Sequence, residues 1–385
     1  MRWSTRRSDR RAKVVLRSTV SAPGEMAFAL LDGTLIAWAT PQAKSPREPS
    51  RSPSPKSAVT CRTSRRGSAS VPSRRSQSSL RSPSYSERRA DEADPLDETI
   101  VGTGRRSADV HRTGSNAPSG DFLKIATYNV NGVLGRLPVL LKWLKEDRPD
   151  VVCLQELKTA DDKFPREELE KAGYGAVWNG QKSWNGVAIL TRGQKPHLTR
   201  KGLPGDPSDA HSRYIEAAVD GILIGALYLP NGNPAPGPKW DYKLAWFRRL
   251  QEYAAELLEL EVPVVLAGDY NVMPADIDVY KPERWLDDAL FRPEVRRAYA
   301  DLVAQGWTDA VRHLHPHERI YTFWKYWRNS FERDAGLRID HFLLSPAIAS
   351  SLQSAEVRRK PRGWEHTSDH APVMIELDLA ALVHG

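Results

Sequence analysis

Four short polar motifs sit beside apolar runs that have no structural need of them. Tyr128-Asn129-Val130-Asn131-Gly132 ends one run, Gln155-Glu156 ends a second, and Gly268-Asp269-Tyr270-Asn271 ends a third; Thr367-Ser368-Asp369-His370-Ala371-Pro372 precedes a fourth. Singly, each has an ordinary reading, because Asp-x-Asn after a strand is usually a turn and a lone Glu a solvated cap. Together they supply two or three carboxylates, two Asn and one His. That oxygen-rich set suits a hard cation such as Mg²⁺, which is held by one or two carboxylates and a substrate phosphate. It lacks the His/Cys ligands expected for zinc. His313, His315 and His317 could ligate a metal by composition, but Pro316 and the polar context make them a surface turn.

These motifs need a scaffold that brings strand ends together. Residues 123–130 alternate like a strand, 138–145 read as a helix with Pro138 in its first turn, and 151–157 are an apolar strand. Strands follow at 186–191 and 214–219, and Asp220-Gly221 signals a hairpin into 222–229. A long amphipathic helix at 240–260 leads to a buried strand at 262–268; a helix at 293–305 and strands at 339–344 and 372–377 complete the set. Mixed strands, hairpins and helices over some 260 residues without a linker predict one α/β domain of two packed sheets with helices outside. Strand ends on one side of such a sheet converge on a crevice.

The 385-residue chain carries a formal charge of +8, unevenly spread. Of its 56 basic and 48 acidic residues, 22 and 11 fall in 1–120, leaving 34 and 37, a net of −3, for 121–385. Any polyanion contact of the domain must therefore rest on a local patch. Residues 41–120 are dense in Ser, Pro and Arg and cannot bury enough surface to offset chain entropy, so 1–120 is expected to be a disordered extension preceding a catalytic domain at 121–385. Such a tail could bind nucleic-acid phosphates or merely be solvated. Basic residues before the apolar stretch 26–39 faintly resemble a secretory signal, but Asp32 and Gly33 interrupt it, and export is not expected. Two cysteines, Cys61 and Cys153, give neither a disulfide framework nor a zinc spacing, which suits a reducing, cytoplasmic setting. No apolar run is long enough to span a membrane.

With Tyr228-Leu229-Pro230-Asn231-Gly232 and Gly336-Leu337-Arg338-Ile339-Asp340 added, the six motifs fall in an order and spacing that resemble the exonuclease III family of DNA-repair nucleases. That family belongs to the superfamily that also holds DNase I and inositol polyphosphate phosphatases. The likeness runs from about Leu123 to Leu379. It implies a four-layer α/β sandwich of two packed mixed sheets flanked by helices. It implies a metal-dependent phosphodiesterase that cleaves 5′ to abasic sites and trims 3′ ends of double-stranded DNA, with Mg²⁺ or Mn²⁺, as a monomer. It further implies Glu156 as principal metal ligand, with Asn129 and Asp369 in support and Asn271, Asp269 and His370 at the same site. Asp269 would orient or deprotonate the attacking water, or protonate the leaving oxygen. Asn271 and Tyr228 would face the phosphate, and His370 would do so with Asp340 behind it. Phosphodiester hydrolysis concentrates charge on phosphoryl oxygens, which a dry site with a cation and preset donors stabilises.

For DNA contact the candidates are Lys158, Arg213, Arg338, Phe323 and Trp324. The last two lie in Tyr321-Thr322-Phe323-Trp324-Lys325-Tyr326-Trp327, where aromatics alternate with bases and could line an abasic-site pocket or form a core strand. The Pro- and Gly-rich stretch 231–238 leaves end preference open. Two other readings compete: a phosphatase of a small phosphorylated molecule, and a binding module with a dead site. One relation is sharper than the rest: Asp340 and His370, 30 positions apart, are expected to lie within about 3.2 Å of each other, His370 also facing Asp269.

Overall fold

The computed structural model describes residues 26–31, 34–39 and 122–380. The extension expected to be disordered lies outside the described residues apart from one hairpin. There β1 (Met26–Leu31) pairs antiparallel with β2 (Thr34–Ala39), Leu31 opposite Thr34. The stretch that faintly resembled a signal thus forms two paired strands.

The domain is built from two six-stranded sheets. The first contains β3 (Phe122–Asn129), β4 (Val151–Gln155), β5 (Tyr174–Asn179), β6 (Val187–Arg192), β13 (Leu352–Val357) and β14 (Val373–Asp378), in the order β13-β14-β3-β4-β6-β5. The second contains β7 (His197–Lys201), β8 (Tyr214–Val219), β9 (Ile222–Tyr228), β10 (Val264–Asp269), β11 (Thr308–Asp309) and β12 (Asp340–Leu344), in the order β11-β12-β10-β9-β8-β7. Each sheet has one parallel pair at its centre, β3–β4 and β9–β10, and is otherwise antiparallel. Among the described residues six α-helices accompany them: α1 (Leu137–Asp147), α2 (Arg166–Lys171), α3 (Pro238–Leu258), α4 (Pro293–Val303), α5 (Ala310–Leu314) and α6 (Pro346–Ala349).

Period-two burial explains the layers. On β3 and β4, Ile125, Val151 and Cys153 enter the cluster between the sheets, packing with Ile224, Val265 and Phe342. Their neighbours Ala126, Tyr128, Val152 and Leu154 face outward onto Leu140, Trp143 and Leu144 of α1. The second sheet does the same: Leu223, Leu227 and Leu266 meet Trp246, Phe247 and Leu250 of α3 and Tyr299 of α4. The four-layer sandwich follows from strands that are apolar on both faces.

Register then fixes the site. In the parallel pairs Asn129 lies beside Gln155, and Asp269 beside Tyr228. The antiparallel partner β12 sets Asp340 opposite Asp269, while β14 runs back along β3 with Val373 opposite Thr127. All these ends therefore lie on one edge of the sandwich. The second strand stops at Gln155 rather than at 157, because Glu156 takes a left-handed backbone (φ 53°) that a strand cannot continue. Gly268 allows the close approach of β9: a Cβ there would lie 1.9 Å from the Leu227 carbonyl oxygen. Gly268→Ala should therefore destabilise the domain by roughly 1–3 kcal/mol, the usual cost of overpacking. Thermal melting measures it; an unchanged Tm would mean that β9 and β10 separate without penalty.

Candidate active site

Asn129, at the end of β3, is fully buried. Its amide nitrogen donates to Glu156 Oε1 (3.0 Å) and to Asp269 Oδ2 (2.9 Å), and its oxygen accepts from the Asn131 backbone N–H (3.0 Å). One side chain thus joins a carboxylate of the first sheet to one of the second. Glu156 Oε1 also accepts from the Tyr228 hydroxyl at 2.7 Å, and its Oε2 pairs with the Lys158 ammonium at 2.7 Å. Lys158 reaches Asn131 Oδ1 (2.6 Å), and the Asn131 amide donates to Asp369 Oδ1 (2.9 Å). Burial works against the Glu156 charge, yet Lys158, Asn129 and Tyr228 together hold its carboxyl below the usual range. Burial, then the nearby Glu156 and Asp269 charges, push the Tyr228 hydroxyl well up, so it stays protonated as a donor.

On the other side of Asp269, His370 Nδ1 lies 2.9 Å from Asp340 Oδ2 and Nε2 lies 3.8 Å from Asp269 Oδ2. The 30-residue separation closes as expected. Thr322 Oγ1 donates to the same Asp340 oxygen at 2.6 Å. Burial opposes a charged imidazole, but the charge and hydrogen bond of Asp340 outweigh it and push His370 up to about 10. Burial and the Asp340 charge push Asp269 up to about 7. At neutral pH the site thus offers a cationic imidazolium beside a carboxyl that can exchange a proton.

A cleft of about 310 Å³ opens over these groups. Its floor is Glu156, Tyr228, Asp269 and His370, and one wall is apolar, made by Phe323, Leu337 and Ile339. Backbone bridges tie Phe323 to both Leu337 and His370, and its ring meets the imidazole edge-on at 5.0 Å.

The sequence pattern of the Endonuclease/Exonuclease/phosphatase family matches residues 126–370. The chain is 34% identical to exodeoxyribonuclease III of Haemophilus influenzae over 266 residues, 66% of this chain and 99% of that one. It superposes on the 3′-5′ exonuclease of Neisseria meningitidis with a TM-score of 0.65 at 41% identity, covering 66% of this chain and 100% of that one. An AP endonuclease from Archaeoglobus fulgidus gives 0.64 at 38%, covering 66% and 99%. The chain belongs to the exonuclease III branch of this family.

Several exonuclease III residues expected from sequence come together: Asn129, Glu156, Tyr228, Asp269, Asn271, Asp340, Asp369 and His370 all lie at this one edge. Two expected DNA contacts do not reach the surface. Arg338 is 1% exposed, its guanidinium engaged by Asp278 (2.7 Å) and Asp309 (2.9 Å). Trp324 is fully buried against Phe331, with Nε1 donating to Asp334 (3.0 Å), so Phe323 alone of the pair lines the cleft. Arg213 is half-buried; it lies over the Tyr228 ring (4.8 Å) and donates to the Tyr228 carbonyl (3.1 Å). Lys158, expected at a phosphate, sits on Glu156. Of the three histidines expected in a surface turn, His313 lies in α5 and His315 caps that helix, bonding to Glu318 and the Ala355 carbonyl.

The expected metal ligands also divide. Asn129 turns its amide nitrogen, not its oxygen, to the carboxylates. Asn271 is pinned by the Leu229 carbonyl (2.9 Å) and the Asn231 amide (3.1 Å). A His370 carrying both protons has no lone pair for a metal. Ligand atoms of Asp269, Asp340 and His370 lie within 4.8 Å of one another, but the Asp340–His370 hydrogen bond closes that group. The better fit for a cation is the rim where the Lys158 ammonium now stands, within 2.6–2.7 Å of oxygens from Asn131 and Glu156 and next to Asp369.

Three contributors went unmarked by motif reading. Thr322 and Ser368 lie inside quoted motifs; Ser368 Oγ donates to the Asn129 carbonyl at 2.7 Å. Lys243 of α3 is fully buried and donates to the carbonyls of Asn231 (3.0 Å) and Asn271 (2.6 Å), tying together the loops after β9 and β10. Burial drives its ammonium down to about 7. Its only sequence signal is a Lys among apolar neighbours on a helix face.

Asp340→Asn keeps shape but removes the charge that raises His370. The imidazolium should then lose its proton at lower pH, so the loss of activity should grow between about pH 6 and pH 9. A rate profile parallel to wild type across that range would remove Asp340 from this role.

Proposed function

We propose that this chain hydrolyses phosphodiester bonds at damaged sites in double-stranded DNA, cutting 5′ to abasic sites and removing nucleotides or blocking groups from 3′ ends. The observation that carries this reading is one cleft that joins an imidazolium, a carboxyl near neutrality and Glu156 to an apolar wall of Phe323, Leu337 and Ile339. Such a wall suits a deoxyribose that lacks its base. An inositol ring, with a hydroxyl on every carbon, would leave hydroxyls unpaired there. The Haemophilus relative is an exodeoxyribonuclease, and the Archaeoglobus structure is that of an AP endonuclease.

In this reading His370, kept charged by Asp340, binds a non-bridging phosphate oxygen. Asp269, beside it, holds or releases the proton of the attacking water or of the leaving oxygen. Tyr228, held by Arg213 over its ring and protonated throughout, turns its one hydroxyl proton from Glu156 to the phosphate when substrate is bound. Glu156 and Asp369 would hold Mg²⁺ or Mn²⁺, which would supply Lewis-acid stabilisation of charge on the phosphate. Lys158, at the same rim beside Glu156 and Asn131, is the cation placed to meet a phosphate oxygen. Asn129 bridges Glu156 and Asp269 by donating to both carboxyls, which partly offsets their repulsion.

The free, buried Cys153 suits a reducing, cytoplasmic setting. Among the described residues no helix is long and apolar enough to cross a membrane. We take the working unit to be a monomer, since every group named here comes from one chain.

A duplex with one abasic site, incubated with Mg²⁺, is the deciding assay. Incision 5′ to the lesion is the expected result. Phosphate release from inositides alone, or binding without turnover, would overturn the reading. Glu156→Gln should keep the wild-type melting temperature and lose roughly 10²–10³ in rate, with partial recovery at high Mg²⁺. Near wild-type cleavage by this variant at limiting Mg²⁺ would take Glu156 out of the metal site.

A further inference from the structure

A second cavity, of about 280 Å³, adjoins the catalytic cleft and shares Trp285, Asp288, Lys325 and Leu337 with it. Its composition is unlike the first. Arg284, Lys325, Arg328 and Arg333 line it, against Asp288 as the one acid. Asp288 is already committed, accepting at Oδ1 from the Asn233 amide (3.0 Å) and the Leu290 backbone (2.9 Å). Among the described residues, none of the four cations has a carboxylate within ion-pair reach. A protein domain that is net acidic thus presents four cations without a carboxylate partner at one hollow, three of them solvent-exposed arginines, and such a local patch raises the concentration of anions there.

Aromatic surface lies at the same place. Trp327 is 59% exposed. The Lys325 ammonium sits 4.6 Å from the Trp285 ring centre and 5.7 Å from that of Trp327, so the two indoles flank one cation. Arg333 is oriented by a hydrogen bond to the Arg328 carbonyl at 3.2 Å. Flat π-surfaces interleaved with fixed cations match a nucleotide, whose base stacks and whose phosphate takes the arginines. The shared wall means that such a nucleotide would lie next to whatever phosphate sits over His370.

We propose that this cavity binds one unpaired nucleotide of the cleaved strand beside the scissile bond, its base against Trp327 and Trp285 and its phosphate on Arg284 and Arg333. This rests on the DNA reading above and adds a preference to it. A paired nucleotide keeps its base in the duplex stack and cannot enter, whereas a frayed or mismatched one can. The cavity therefore favours ends and lesions flanked by unpaired bases.

The test uses three duplexes: one with a fully paired 3′ end, one with two mismatched nucleotides at that end, and one with an abasic site between paired flanks. Wild type should degrade the mismatched end with a lower KM than the paired end. Trp327→Ala should erase roughly tenfold of that preference, the loss expected for one base–aromatic stack. Arg284→Ala with Arg333→Ala should do likewise, and should flatten the salt dependence of binding to the mismatched duplex by about 0.7 for each phosphate no longer neutralised. Incision at the paired abasic site should stay within about twofold in both variants, which also shows that they fold. An unchanged preference, or an equal loss on all three duplexes, would overturn the subsite. A wild-type protein that cuts none of the duplexes would instead sink the DNA reading itself.

Discussion

Glu156 and Asp269, carboxylates from two different sheets, are held side by side by one amide. Asn129 donates to both, and without it two buried like charges would face each other in a medium that screens them poorly. Asn129 can stand there only because β3 lies in the middle of its sheet and its end meets the end of β10 across the sandwich. The rest of the site is arranged around that junction. Lys158 and Tyr228 complete the partners of Glu156; His370 and the Asn271 backbone complete those of Asp269.

The domain treats its buried charges in two ways. Arg338, Asp278, Asp309 and Arg312 form a closed network in which every charge has an opposite partner, and the carboxyls of Asp278 and Asp309 are held low. Such a network is inert. It fixes the segment 337–340 from behind and so sets where Asp340 begins β12. At the catalytic edge the charges are left unbalanced instead. Asp269 is driven up by burial and a neighbouring carboxylate, His370 is driven up by Asp340, and one oxygen of Asp340 has no partner among the described residues. Proton exchange near neutral pH needs that imbalance, and a fully paired cluster would forbid it.

The same contrast governs the surface. Arg338 and Arg333 are five residues apart in a segment rich in bases and aromatics, yet one is sealed among carboxylates and the other stands at a cavity rim. Trp324 and Trp327 divide likewise, the first buried, the second exposed. The loop at 231–238 is anchored through Asn233 to residues 288 and 289, which links it to the wall that the two cavities share.

What the amino-acid sequence determined by itself is what depends on neighbours along the chain. Apolar strands covered on both faces announce themselves by their own residues, so β3, β4, β9 and β10 were legible, as were the polar motifs that end them. The chemical kind of the site, oxygen-rich with one histidine, was legible for the same reason, and the motif order was enough to connect Asp340 with His370. Edge strands were not. β5, β7 and β13 each have a neighbour on one side only, and β7 and β13 are polar enough to pass for loop. Nor could local pattern assign the charges. Whether an arginine pairs inward or faces a ligand, whether a histidine is held charged, and whether Lys243 joins two catalytic loops are decided by residues tens of positions away. Burial and ion pairing are properties of the packed chain, and only the tertiary structure says which segments pack.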